Sequence, residues 1–528
     1  MAGQLVPFQL RSPGVFGVVT EQEGAIQDPR WATVLKNAVI NASNRIAARN
    51  GWVLATTGGN HGEDTETIYE FVEDADTTYI ISAAGTGADA QVYSGTVTLI
   101  DRSNAADPPL TQPTASDWQF VSLNGFCLGF QAGHEPIFWE PSGTTEASQS
   151  DDFEDITGAT GYVATHPDGN AAVATHGRIF AFDDDMQTVK WCALLDPFDW
   201  GGASAGAIDL RNIWPRGGDV GVALEEWNDY LVIFGERSIL VFSGLEDPNV
   251  KFGLAGGTVD TAEGQQDAVT GDGLVARDAF ASVGTELIYL SRSGLRSLRR
   301  ALIGQNLPLT SIAPQIQLAL TVDINAAINA GLSIKVEYHR PLGAIVAKIG
   351  AKYWYFDVRD QRQVKASTWE GIGWLAAASI GGTLYLGEND GIATYTGFAD
   401  GGESYLWEYK SPWLPLTGRS AQSVIVKQAE GYYEADLSQS VSLSWSFDYV
   451  SESFSEAALL DVGNVSEWNE DEFGIAEWGT SGTLVRQKYE GAGDGALIQF
   501  GVRATINGGN FAVQEVDFIG KLGRILNR

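Results

Sequence analysis

One local pattern recurs along most of this 528-residue sequence: an apolar strand-like run, a short polar or glycine-containing turn, and a second apolar run. Runs of β-branched and aromatic residues joined by such turns are the signature of β-hairpins. TTYIISAAG and QVYSGTVTLI flank a turn near Thr86–Gly87, FCLGF and IFW one near Gly133, and RIFAF and TVKWCALL one near Asp184. DYLVIF and ILVFSG turn at Gly235, TELIYL and LRSL near Ser293, AKYWYFD and VKAS near Asp360, and TLYLG and IATYTG near Asn389. Successive turns lie roughly 30 to 67 residues apart, around the ~40–50-residue repeat of propeller blades.

The segment LIYLSRSGLRSL (287–298) shows the local logic. Leu287, Tyr289 and Ser291 alternate with Ile288, Leu290 and Arg292, and Ser293–Gly294 supply the reversal. A strand apolar on both faces needs neighbours on both sides. One four-stranded blade cannot bury both faces, whereas a closed ring of blades can, and it leaves only short edges. The pattern predicts an all-β fold: a β-propeller of five to seven blades, with a stacked β-sandwich of similar hairpins as the competing arrangement. The 62 glycines fit many tight turns, since glycine enters positive φ without steric cost.

Two regions depart from the repeat. IAPQIQLALTVDINAAINAGLS (312–333) is rich in alanine and leucine at mixed spacings of three and four, which predicts one or two helices between blades. The end of the chain carries Trp407, Trp413, Trp445, Trp468 and Trp478, with the strand-like runs VSLSWSFDYV, ALIQFGVRATI and FAVQEVDFIG. The expected organisation is a platform or sandwich domain formed by residues 1–60 and 401–528, with the propeller and its insertions over 61–400. Aromatic residues are enriched at interfaces, and Trp31, Trp52, Trp407 and Trp413 are the candidate interface residues. Burial in a β platform is the competing role for each.

Charge and motifs narrow the function. The net charge is −34, from 67 acidic and 33 basic residues, which argues against tight nucleic-acid binding because that depends on neutralising phosphates. An acidic surface confers solubility and repels polyanions. The two cysteines, Cys127 and Cys192, sit in apolar runs and exclude a disulfide scaffold. No basic stretch leads into an apolar run at the N-terminus, and no run of about 18 apolar residues exists, so neither a signal peptide nor stable membrane insertion is expected.

No catalytic or nucleotide-binding signature appears: no nucleophile elbow, no HExxH zinc motif and no P-loop. His61, His134, His166, His176 and His339 fall in loop-like contexts without metal-ligand spacing. Asp183–Asp185 and the acids at 151, 152, 154 and 155 could offer oxygen ligands to calcium, but neither set matches the calcium-loop spacing, and solvated turns are the expected reading. Glycoside hydrolysis needs two facing carboxylates. With 67 acids, chance pairs carry no weight, and sialidase-type Ser-x-Asp-x-Gly-x-Thr-Trp repeats are absent. The chain is read as non-enzymatic and without a cofactor.

Several stretches resemble the tail nozzle proteins of short-tailed bacteriophages (podoviruses), also called tail tubular protein B or packaged-DNA-stabilising proteins. They are SPGV (12–15), NAVINASNRIAARNGW (37–52), LLDPFDW (194–200), EWNDYLVIFGERSILVFSG (226–244) followed by VGTELIYLSRSGLRSL (283–298), and YEGAGDGALIQFGV (489–502). The pair of hairpins, LVIF-x-E-x-S-I and then LSRSG-x-RSL, is the most specific element. The likeness is one of pattern and order, and it departs over 54–115 and 140–160. It implies a virion protein, made in the host cytoplasm, that forms a homo-hexameric tube beneath the adaptor ring. That tube would contact tail fibre proteins and would retain and then pass genomic DNA through an acidic lumen. A host-receptor or polysaccharide-binding tail propeller, or a glycan-cleaving one, is the alternative function.

Overall fold

The structure is a computed structural model that describes residues 5–21, 28–56, 64–74, 77–85, 91–95, 100–102, 117–141, 152–163, 165–215, 217–248, 265–299, 311–360, 363–389, 391–417, 422–450, 454–462 and 483–525. Seven sets of antiparallel strands follow one another around a ring. Blades 1 to 4 have four strands each, and their first strands are Thr65–Val72, Gln119–Leu123, Ala172–Thr175 and Gly221–Trp227. Blade 5 has three strands among the described residues and begins at Phe280–Val283. Blade 6 begins at Ile334–His339 and blade 7 at Ala376–Ile380. Six blades are separate sheets; the four strands of blade 6 continue into a larger sheet.

The first strand of each blade is innermost. These strands lie against one another from blade to blade, and Ala376–Ile380 of blade 7 returns to Thr65–Val72 of blade 1. Blades 4 and 5 meet through Phe234 stacked on Phe280 at 5.4 Å and through the Trp227 indole, which donates to the Thr285 carbonyl. The ring is closed by strand exchange. Trp52–Leu54, from the N-terminal part of the chain, pairs with Gly391–Tyr395 as the outermost strand of blade 7. Residues 52–54 therefore belong to the propeller, and the expected platform segment 1–60 ends before them.

Packing follows from alternation. Ile179 and Ala181 pack with Leu128 and Phe130 of blade 2, whereas Phe180 and Phe182 pack with Leu224 and Ile233 of blade 4. One strand thus serves two interblade cores, because successive side chains point to opposite faces. Cys127 and Cys192 are free thiols in these cores, and burial pushes Cys192 up to about 12.

Helix α1 (Gln317–Asn329) lies between blades 5 and 6 in the chain and packs against Gly294–Ser297, the third strand of blade 5. Leu320, Ile324 and Ala327 face inward. No helix among the described residues is long and apolar enough to cross a membrane.

The two ends of the chain form the platform, a sandwich of two sheets. One sheet holds Leu5–Arg11, Ala38–Ile40, Ile46–Ala48, Gln422–Ala435, Thr483–Glu490 and Phe511–Ile525. The other holds Tyr405–Lys410, Ser440–Phe447, Phe454–Leu459 and Leu497–Ile506. Phe518 packs edge-on against Phe500 and Trp445 across the sandwich. Val34–Lys36 then runs parallel to Lys365–Trp369, which joins the platform sheet to blade 6.

Candidate functional site

The platform and propeller meet at the segment NRIAARNGW. Ile46–Ala48 belongs to the platform and Trp52–Leu54 to blade 7, so Arg49–Asn50–Gly51 must turn between them. Arg49 is fully buried. Its Nη1 and Nη2 donate to the two Asp400 oxygens at 2.8 and 2.6 Å, and its Nε donates to Asn37 Oδ1 at 3.0 Å. The remaining donors reach the Asn50 and Glu370 carbonyls, and the Tyr405 ring lies 4.2 Å from the guanidinium. A planar guanidinium suits such a bidentate pair, and full hydrogen bonding offsets the cost of burying it. Beside it, Glu388 is buried with one carboxyl oxygen unpartnered among the described residues. Burial, and then the Asp400 charge, push Glu388 up to about 7.

The propeller axis carries a second ionic cluster. Arg277 donates to Asp117 at 2.7 Å and to both Asp278 oxygens at 2.7 and 2.8 Å. Lys335 donates to Asp117 at 3.0 Å and to the Glu66 carbonyl at 2.6 Å. Arg277 also reaches the Asn170 carbonyl. The cluster ties blades 1, 2, 5 and 6 to the segment that opens blade 3. Burial alone would raise the Asp278 carboxyl, but Arg277 and Lys335 hold it down at about 2. Within these ion pairs two cations face two carboxylates, Asp117 and Asp278.

The four candidate tryptophans separate. Trp407 is fully buried, 5.0 Å from the Phe511 ring, and its indole donates to the Ala47 carbonyl. It is a pillar of the sandwich core and is removed from the surface candidates, because an apolar strand in a two-sheet platform places it inward. Trp52 is half-buried in the closing strand of blade 7 and packs over Gly401. Trp31 is half-buried beside Phe16 at 5.3 Å.

Trp413 is half-buried, and its ring lies 4.8 Å from Tyr449. Tyr449 was not singled out from the sequence. Asp448 and Tyr449 have φ of +48° and +64°, and the Val450 N–H donates to the Phe447 carbonyl at 2.9 Å. This is a type I′ turn, which favours Asn-Gly or Asp-Gly. Asp448 suits it and accepts the Ala496 and Leu497 N–H groups. Tyrosine in the left-handed region is strained, yet the turn holds it 56% exposed, next to exposed Val450. The usual hairpin signal is Asp-Gly, so Asp-Tyr carried no mark in the sequence.

The acidic turn of blade 3 is engaged in its own structure. Asp185 accepts the Gln187 and Thr188 N–H groups and pairs with Arg211, while Asp183 pairs with Lys190 at 2.8 Å. His339 departs from the loop reading. It ends the inner strand of blade 6, is buried, and lies 2.9 Å from Ser379 Oγ. His61 and Asp151 lie outside the described residues.

No known protein family matches this sequence, and no curated protein matches it. Among solved structures, the chain is similar to the computationally designed Ika8 protein, at 9% identity and a TM-score of 0.36 over 66% of this chain and 100% of that one. It is similar to the WD40 domain of Neurospora crassa Pan2, at 9% identity and a TM-score of 0.36 over 66% and 95% of the two chains. It is also similar to PorZ of Porphyromonas gingivalis, at 11% identity and a TM-score of 0.37 over 69% and 52%. The propeller itself is established by the strand pairing within this chain, which closes the blades into a ring around a common axis.

Proposed function

We propose that this chain is the structural nozzle subunit of a short-tailed phage tail, a wall element of an oligomeric conduit for DNA. The observation that carries this reading is where the resembling segments fall. SPGV leads from the platform strand Leu5–Arg11, and its Gly14 lies against the Tyr409 ring. NRIAARNGW is the platform–propeller joint, LVIFGERSI and LSRSGLRSL are the hairpins of adjacent blades 4 and 5, and GALIQFGV is a central platform strand. These segments form the frame that joins two β units into one body, as the wall of a conduit under pressure requires.

The axial salt-bridge cluster supports placing the DNA path between subunits, not along the propeller axis. The acidic balance suits a lumen wall, because phosphates repelled by the wall are not retained by it. In this reading Trp31, Trp413 and Tyr449 are candidate anchors towards neighbouring subunits or the adaptor ring, and the chain carries out no catalysis.

Electron microscopy of the purified chain, alone and mixed with the adaptor protein, tests the proposal. Closed rings with an axial lumen are expected in at least one sample. Monomers alone in both samples would overturn it.

A further inference from the structure

The outer face of one platform sheet sets three carboxylates against two arginines. Glu515 and Asp517 stand two positions apart on Phe511–Ile525, so their side chains share a face. In the register, Glu430 and Tyr432 lie opposite Asp517 and Glu515 on one side, and Gln9 and Arg11 lie opposite them on the other. Arg486 and Lys488 follow on Thr483–Glu490, opposite Tyr432 and Glu430. Glu430 is satisfied: it accepts a bidentate pair from Arg486 and further hydrogen bonds from Gln428 and Tyr432. Arg11 reaches Glu515 at 3.6 Å and is shared with Gln9. Lys488 is exposed and forms no ion pair with these acids among the described residues.

Asp517 is 5% exposed, and its carboxyl lies within hydrogen-bonding reach of the Glu515 carboxyl. Asp517 Oδ1 and Glu515 Oε1 are buried, and neither meets an N–H or O–H donor among the described residues. Two ionised carboxylates are acceptors only and repel in such a contact, whereas an acid and a carboxylate hold it through one O–H···O bond. We propose that Glu515 and Asp517 share one proton, and that this proton latches the edge strand Leu5–Arg11 to the platform. That strand pairs on one side only among the described residues, and its Gln9 and Arg11 stand beside the acid pair. When the proton leaves, two like charges remain in a buried contact. Glu515, with its side chain 16% exposed, turns outward and draws the end of the strand from the sheet.

The pair titrates as a unit. Burial, then the Glu515 charge, raise Asp517 from an ordinary 3.8 to about 6. The contribution of the shared proton is complete below pH 3.8 and is lost as pH rises through about 6. The latch is built within one chain and does not rest on the nozzle reading.

Hydrogen exchange of the full chain, read by mass spectrometry at pH 5 and pH 7.5 and corrected for the intrinsic rate at each pH, tests the proposal. In the wild type, protection of Leu5–Arg11 relative to the platform strand Leu497–Ile506 is expected to fall about tenfold at the higher pH. Asp517→Asn and Glu515→Gln each keep the side-chain shape and supply a permanent N–H donor. Each is expected to hold that relative protection constant between the two pH values. Constant relative protection in the wild type, or a fall of the same size in either folded variant, would overturn the latch. Melting curves identify which variants fold; if one does not, the other decides, and the wild-type comparison stands without either.

Discussion

Arg49 and Asp400 lie 351 positions apart in sequence and meet in a buried bidentate pair, with two hydrogen bonds of 2.8 and 2.6 Å. The pair fastens the N-terminal segment to the connection between blade 7 and the platform strand Tyr405–Lys410. Removing one partner strands the other as a buried charge, which typically costs about 3–5 kcal/mol. Asp400→Ala is expected to lower stability by about that amount in urea titrations. The double variant Arg49→Met/Asp400→Ala is expected to recover part of the loss, because no unpaired charge then remains in the core.

Gly51 makes the turn behind Arg49. A Cβ at this position would sit 2.0 Å from the Ala399 carbonyl oxygen, and that oxygen is backbone held by the Trp52 N–H. Gly51→Ala is therefore expected to disrupt the closing strand. Hydrogen exchange should show loss of protection first at Trp52–Leu54 and Gly391–Tyr395, whose pairing closes the ring. Unchanged protection there would contradict the strand-exchange account.

Stability should fall as pH rises through neutrality. Burial raises Glu225 to about 8, and Glu337 and Glu388 to about 7, from an ordinary 4.5. A carboxyl raised in the folded state binds its proton more tightly there than when unfolded. Its stabilising contribution is complete below pH 4.5 and is lost as pH climbs to about 7 or 8. Tenfold tighter proton binding is worth ~1.4 kcal/mol, so each group contributes on the order of 3 kcal/mol. Melting temperatures measured between pH 5 and pH 8.5 are expected to decline, and Glu337→Gln or Glu388→Gln to flatten part of that decline. Equal slopes in wild type and both variants would refute the assignment.

Tyr449 separates folding from assembly. Tyr449→Gly relieves a strained φ of +64° and loses the ring contact with Trp413. Each effect is about 1 kcal/mol and they oppose one another, so the melting temperature of the isolated chain should barely move. Under the proposed function, sedimentation should show weaker ring assembly for this variant. Assembly equal to wild type would remove Tyr449 from the interface.

The hairpins were legible because period-two apolar alternation and turn residues are local signals. The pairs RIFAF/TVKW, YLVIF/SILVF and ELIYL/GLRS are the second and third strands of blades 3, 4 and 5, with turns where Asp184, Gly235 and Ser293 placed them. AKYWYFD/VKAS is instead the third and fourth strands of blade 6. The helical reading of 312–333 matched α1 for the same local reason. Trp407 and Tyr449 were not legible. Tryptophan in an amphipathic strand suits either a core or an interface, and the strain of a turn is set by the folded backbone.

Residue order alone established that successive β-hairpins, apolar on both faces, would be buried on both faces, and that the two ends of the chain would build something apart from them. It took the folded chain to fix three further things: Trp52–Leu54 crosses back to complete blade 7, blade 6 is continuous with the platform, and Arg277 and Lys335 neutralise Asp117 and Asp278 on the axis. The reason is physical. Alternation and turn chemistry act between neighbours in the chain, whereas ring closure and ion pairing depend on which distant segments share one buried space.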